Sequence, residues 1–140
     1  MPKYNSNRIR RLISELSIAL QNLKELCQLS VKNFLSDRHK ISSAKYNFVV
    51  AIEAAIDICN HIIAKNRYRS PEDYADTFRV MNEVGAFSID LSEKLQKMAR
   101  FRNRLIHIYW EVDNQEMYRI MSEELKDFDE FIEALKKFIS

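Results

Sequence analysis

A chain of 140 residues that holds one glycine and two prolines has little choice of architecture. Sandwiches and barrels reverse direction every few residues, and their tight turns draw on glycine for left-handed backbone and on proline for a preset φ. So few turn formers favour long helices with short connections. The length suits one domain over residues 1–140, large enough to bury roughly two thirds of its unfolded surface.

Apolar spacing supports this reading. Ile9, Leu12, Ile13, Leu16, Leu20, Leu23 and Cys27 recur at the three-and-four interval of one helix face. An extra turn is expected at Val31 to Leu35, and Asp37 is a plausible N-cap for a second main helix that buries Phe48, Val49, Ile52, Ala55, Ile56, Cys59, Ile62 and Ile63. A third helix is expected to start at Ser70-Pro71, with Ser as cap and Pro in the first turn, and to end near Val84 because Gly85 suits the left-handed position after a helix. Ser88 can cap a fourth, with the stripe Leu91, Leu95, Met98, Phe101 and Leu105. Asp113 and Glu116 have the spacing of a capping box for a final helix through Phe138. The expected fold is all-α, an up-and-down bundle of four main helices plus a shorter one.

No stretch approaches the roughly 18 consecutive apolar residues of a membrane span, and no basic start leads into an apolar leader. A soluble, cytoplasmic protein is expected. Cys27 and Cys59 fall on apolar helix stripes, where thiols pack reduced as small hydrophobes.

The net charge of +2 says less than its distribution. From Glu93 to Arg104 five bases stand against one acid, and from Glu111 to Glu133 nine acids face two bases. A basic patch beside an acidic helix follows, either a solvated face or an attractor for a phosphate backbone.

At the end of the fourth helix, Arg102 is followed by Asn103, then by His107 and Tyr109. These residue types suit metal-independent cleavage of RNA. Imidazole titrates near neutrality and can take a proton from a ribose 2′-hydroxyl or give one to a leaving 5′-oxygen. A guanidinium can hold two phosphate oxygens and stabilise the charge that builds on them. Yet at 100° per residue, His107 lies about 140° around a straight helix from Arg102. Asn103 and His107 share a face, as do Arg102 and Tyr109. Either the long Arg side chain reaches around, or the helix distorts, or two chains pool their copies. A purely structural reading is also open, with solvated arginines, a core histidine, and Tyr109 and Trp110 as packing aromatics.

The segment Ala99-Arg100-Phe101-Arg102-Asn103-Arg104-Leu105-Ile106-His107-Ile108-Tyr109-Trp110-Glu111-Val112-Asp113 resembles the signature of HepT proteins, a branch of the HEPN superfamily. The similarity extends to Ala51 through Ile63 and to Ser70-Pro71. It implies an all-helical homodimer whose motif copies meet in an interface cleft, and RNA cleavage by Arg102 and His107 with Asn103 and Tyr109 in support. It further implies a type VII toxin-antitoxin pair, in which an MntA-type nucleotidyltransferase antitoxin silences the toxin by AMPylation of Tyr109. No cofactor is implied.

Glu53, Asp57 and His61 line one face of the second main helix. Bundle metal sites draw ligands from several helices, so this stripe reads as solvated surface or as support bordering the cleft, with Glu53 and Asp57 behind the basic motif. No metal site is expected. His39 reads as surface, and Asp113 as a cap. The principal alternative to a nuclease is a non-catalytic helical module that binds a nucleotidyltransferase partner or a nucleotide. A dimeric scaffold without a nucleic-acid partner is the third.

Overall fold

The computed structural model describes residues 1–140 and is entirely helical. In chain order the helices are α1 (Ser6–Leu26), α2 (Val31–Leu35), α3 (Arg38–Lys65), α4 (Tyr74–Glu83), α5 (Ile89–His107), α6 (Asn114–Glu123) and α7 (Lys126–Ile139), with a 3-10 turn at Tyr109–Glu111 between α5 and α6.

The organising element is α3. Its sequence alternates small and branched apolar residues, and Ala51, Ile52, Ala54, Ala55, Ile56, Ile58, Cys59 and Ile62 are all buried. The alanines let neighbouring helices approach closely while the isoleucines fill the space between them. By length and composition alone α3 could cross a bilayer, but 61% of that apolar window is buried inside the fold. It is a core helix. Burial also pushes the Cys59 thiol well above its ordinary pKa, and Cys27 is only half-buried, its Sγ within hydrogen-bond distance of Lys24 O.

Helix α1 runs antiparallel along α3, as its cross-links show. Asn22 Nδ2 donates to Asn47 Oδ1 at 3.0 Å, Asn5 N donates to His61 Nε2 at 2.8 Å, and Lys3 N donates to Asn66 Oδ1 at 2.8 Å. Helices α4 and α5 form the second hairpin, tied by Ser92 Oγ donating to Phe78 O at 2.8 Å. One cluster of 38 buried residues joins all these elements, with Phe34, Phe48, Phe78, Phe128 and Phe131 among its fully buried members.

The expected caps largely hold. Asp37 accepts from His39 N and Lys40 N, Ser88 accepts from Leu91 N, and Gly85 adopts φ +87° just past the end of α4. Three local expectations are corrected. The third main helix starts at Tyr74, capped by Asp73, and not at Ser70-Pro71. The carboxylate of Asp76 accepts from Glu72 N at 2.9 Å and from Arg69 Nη1 at 2.7 Å, which holds residues 69–73 in a loop. The final helix is two, α6 and α7, separated at Glu124–Leu125. Asp113 caps α6 through Gln115 N, while Glu116 pairs with Arg104 at 2.8 Å instead of closing a capping box.

The Arg69 guanidinium, followed by the Glu72 amide, holds the Asp76 carboxyl well below the usual carboxylate range. A depressed carboxylate contributes stability that is present above its unfolded pKa and lost as pH falls toward the folded one. Thermal stability should therefore drop as pH falls below about 4. Asp76→Asn should lower the melting temperature by several degrees at pH 7 and flatten this acid slope, as read by circular dichroism melts.

Candidate active site

Helix α5 carries the motif on three different faces. Its inner face, Leu91, Leu95, Met98, Phe101 and Leu105, is buried. Phe101 meets Phe48 of α3 edge-on with ring centroids 5.3 Å apart, which sets the rotation of α5. That rotation presents Arg102 sideways to α3 and turns His107 outward.

Arg102 is the best-anchored polar residue of the motif. Its side chain is only 12% exposed. Its Nε and Nη2 both donate to Glu53 Oε1, at 3.1 and 2.6 Å, and Nη1 donates to Asn103 Oδ1 at 3.2 Å. The guanidinium carbon lies 4.8 Å from the centre of the Tyr74 ring. Three of the five N–H groups of the fork are thus engaged, and two remain for a ligand. The guanidinium is held in one orientation by a carboxylate, an amide and an aromatic face.

Glu53, expected at the edge of the motif, is its direct partner. Asp57, one turn further along α3, is exposed; its pKa is raised by partial burial and then by the negative charge of Glu53, against a lowering by Arg8. The stripe then parts from the motif. His61 accepts from Asn5 N, and its pKa is lowered by burial, then by Arg8 and Lys65. Sequence reasoning missed Tyr74, because its value lies in the cation–π stack and no spacing rule connects it to Arg102.

His107 is the last residue of α5, exposed and free of side-chain hydrogen bonds. The helix is continuous from Ile89 to His107, so the offset of about 140° between Arg102 and His107 stands. The break comes one residue later, where Ile108 leaves the helix at φ −136°, ψ 43°. Neither a distorted helix nor a reaching arginine joins the two residues within one chain. Beyond the break, Tyr109 and Trp110 meet edge to face at 5.3 Å and are 57% and 68% exposed, so they are not packing aromatics. None of the five main surface depressions of the single chain is lined by Arg102, His107 or Tyr109.

The family model described as Ribonuclease HepT-like matches residues 16–135. The chain belongs to this family. Two relatives among HepT nucleases agree. The mRNA nuclease HepT of Shewanella oneidensis is 27% identical over 127 residues, which cover 89% of this chain and 96% of the relative. The tRNA nuclease HepT of Aphanizomenon flos-aquae is 24% identical over 123 residues, covering 86% of this chain and 82% of the relative. The fold matches the solved structure of tri-AMPylated Shewanella oneidensis HEPN toxin in complex with MNT antitoxin, with TM-score 0.86, 25% identity, and coverage of 93% of this chain and 97% of that one. The helical architecture read from the sequence is therefore that of HEPN toxins.

The Arg102–Glu53 pair is nearly sequestered on one side and partly wet on the other, since Glu53 is 41% exposed. Glu53→Ala should leave helical content intact and cost about 1–2 kcal/mol, less than a fully buried pair, because water can partly replace the carboxylate. Chemical denaturation of both proteins measures the difference.

Proposed function

We propose that this HepT-family ribonuclease acts as the toxin of a toxin-antitoxin pair and cuts RNA without metal, in a cleft between two copies of the chain. The observation that carries the reading is the division of labour within the motif: an arginine locked in place with two N–H groups to spare, and a histidine with no partner. Because the two lie on different faces of one regular helix, a site that uses both takes Arg102 from one copy and His107 from the other. An isologous pairing brings two such sets together at once.

In that cleft Arg102 grips the scissile phosphate and stabilises the negative charge of the transition state. His107 accepts the proton of the ribose 2′-hydroxyl, whose oxygen attacks phosphorus while the P–O5′ bond breaks and the leaving 5′-oxygen takes a proton from water. Glu53, Asn103 and Tyr74 are positioning residues that keep the guanidinium aimed. Asp57 adds negative charge one turn away on α3. The protein acts in the cytoplasm, where its RNA substrate lies and the thiols of Cys27 and Cys59 stay reduced.

Tyr109 is the control point. Its exposure leaves the hydroxyl accessible to an MntA-type nucleotidyltransferase antitoxin, and AMP added there brings bulk and negative charge to the place that RNA phosphates must enter. A non-catalytic module that only binds the transferase would have no use for so rigidly held an arginine.

Arg102→Ala and His107→Ala should each lower RNA cleavage by about a thousandfold or more in the presence of a chelator, with helical content and oligomeric state unchanged. Tyr109→Phe should retain cleavage but gain no AMP when coexpressed with the transferase, as weighed by intact mass spectrometry. A catalytically competent His107→Ala protein would contradict the assignment.

A further inference from the structure

The α5–α6 face carries a set of cations that the proposed cleavage chemistry does not use. Lys97, Arg100 and Arg104 lead at intervals of three and four to His107, all four within about 80° of arc on α5 and over about 15 Å of its length. Lys97, Arg100 and Arg104 help line a groove of about 360 Å³ between α5 and α6, on a different face of α5 from the Arg102–Glu53 pair. Most cations of the groove are neutralised within the chain. Lys94 pairs with Asp90 and Glu130, Arg104 with Glu116, and Arg119 with Glu123 and Glu124. Lys97 and Arg100 have no such partner, although Glu124 is near enough to line the same groove.

The groove lining stops at Arg104 on α5 and resumes at Glu116 on α6, and the chain between them carries a second feature. The turn Tyr109–Glu111 joins the two helices that form its walls, and on that turn the one tryptophan of the chain stands 68% exposed. Its one aromatic contact in the chain is with Tyr109, edge to face at 5.3 Å, and the rest of the exposed ring is a platform for a flat, apolar ligand. Unpaired cations that track a backbone, beside an aromatic surface on which a base can stack, are the two elements that bind single-stranded nucleic acid. A base in a duplex is already stacked, so this combination selects unpaired RNA.

We infer that Lys97 and Arg100 form a track for the phosphates of a single-stranded RNA segment and that Trp110 stacks one of its bases, feeding the strand toward His107. The inference rests on the ribonuclease reading above and adds to it the substrate's conformation and the residues that hold it outside the cleavage site.

The test uses the full-length protein and a short oligouridylate, alone and annealed to oligoadenylate. In a His107→Ala background, which binds without cutting, the single strand should quench the fluorescence of Trp110 and the duplex should not. In the cleaving protein, Trp110→Ala should raise KM roughly tenfold with kcat unchanged. The double variant Lys97→Ala/Arg100→Ala should bind with a slope of log affinity against log salt reduced by about 1.4, the value for two lost single-strand phosphate contacts. Unchanged KM and salt slope in both variants, with cleavage intact, would overturn the track and leave the nuclease reading standing. Loss of the dimer or of transferase binding in Trp110→Ala, with KM unchanged, would also overturn it by showing that the turn is a protein interface. If the wild-type protein cuts no RNA yet the single strand still quenches Trp110 and the salt slope still falls, the track stands and the nuclease reading fails.

Discussion

The packing of α3 against its neighbours is the constraint on which the rest of the molecule depends. A 28-residue helix whose buried residues are mostly alanine and isoleucine can pack against α1, α4 and α5 at once. Hydrophobic burial fixes these rotations far more tightly than any polar contact could. Once Phe48 and Phe101 are in contact, α5 has only one rotation, and the directions of Arg102 and His107 follow from it.

That rotation explains why the polar motif is arranged as it is. Arg102 is turned to the seam with α3, where Glu53 offsets its desolvation and Tyr74 covers its face. A flexible arginine would lose side-chain entropy on gripping a phosphate, whereas this one is already ordered by the fold. His107 sits at the opposite extreme, at a helix end with nothing to hold it. In the proposed site that freedom serves proton exchange with the substrate, and a second copy of the chain would supply the walls that the single chain lacks.

Much of this was legible in the sequence, for identifiable reasons. The helices α1, α3 and α5 declare themselves because their buried faces are continuous, while Asp37 and Ser88 mark the starts of α3 and α5, and Gly85 the end of α4, by local chemistry that does not depend on tertiary contacts. The start of α4 was misplaced because Ser70-Pro71 satisfies the local rule for a helix start. The competing bonds of Asp76 to Arg69 and Glu72 join residues that no sequence period relates. The division between α6 and α7 leaves no mark in the sequence, because the apolar stripe runs on across Glu124–Leu125 without a glycine or proline. At the site, residue type and resemblance singled out the motif and offered Glu53 and Asp57 as support bordering it, and the ion pair of Glu53 with Arg102 is what the structure adds. The stack on Tyr74 and the exposure of Trp110 could not, since both depend on how α4 and the α5–α6 turn sit in space.

The central claim is that the active site is shared between chains, and subunit mixing addresses it most directly. Arg102→Ala and His107→Ala proteins, each inactive alone, would be mixed in equal amounts under conditions that allow exchange, and RNA cleavage measured. A shared site predicts recovery to about a quarter of wild-type activity, because half the dimers are mixed and one of the two sites in each is whole. No recovery, with subunit exchange verified by native mass spectrometry, would show that Arg102 and His107 must come from the same chain and would contradict the account.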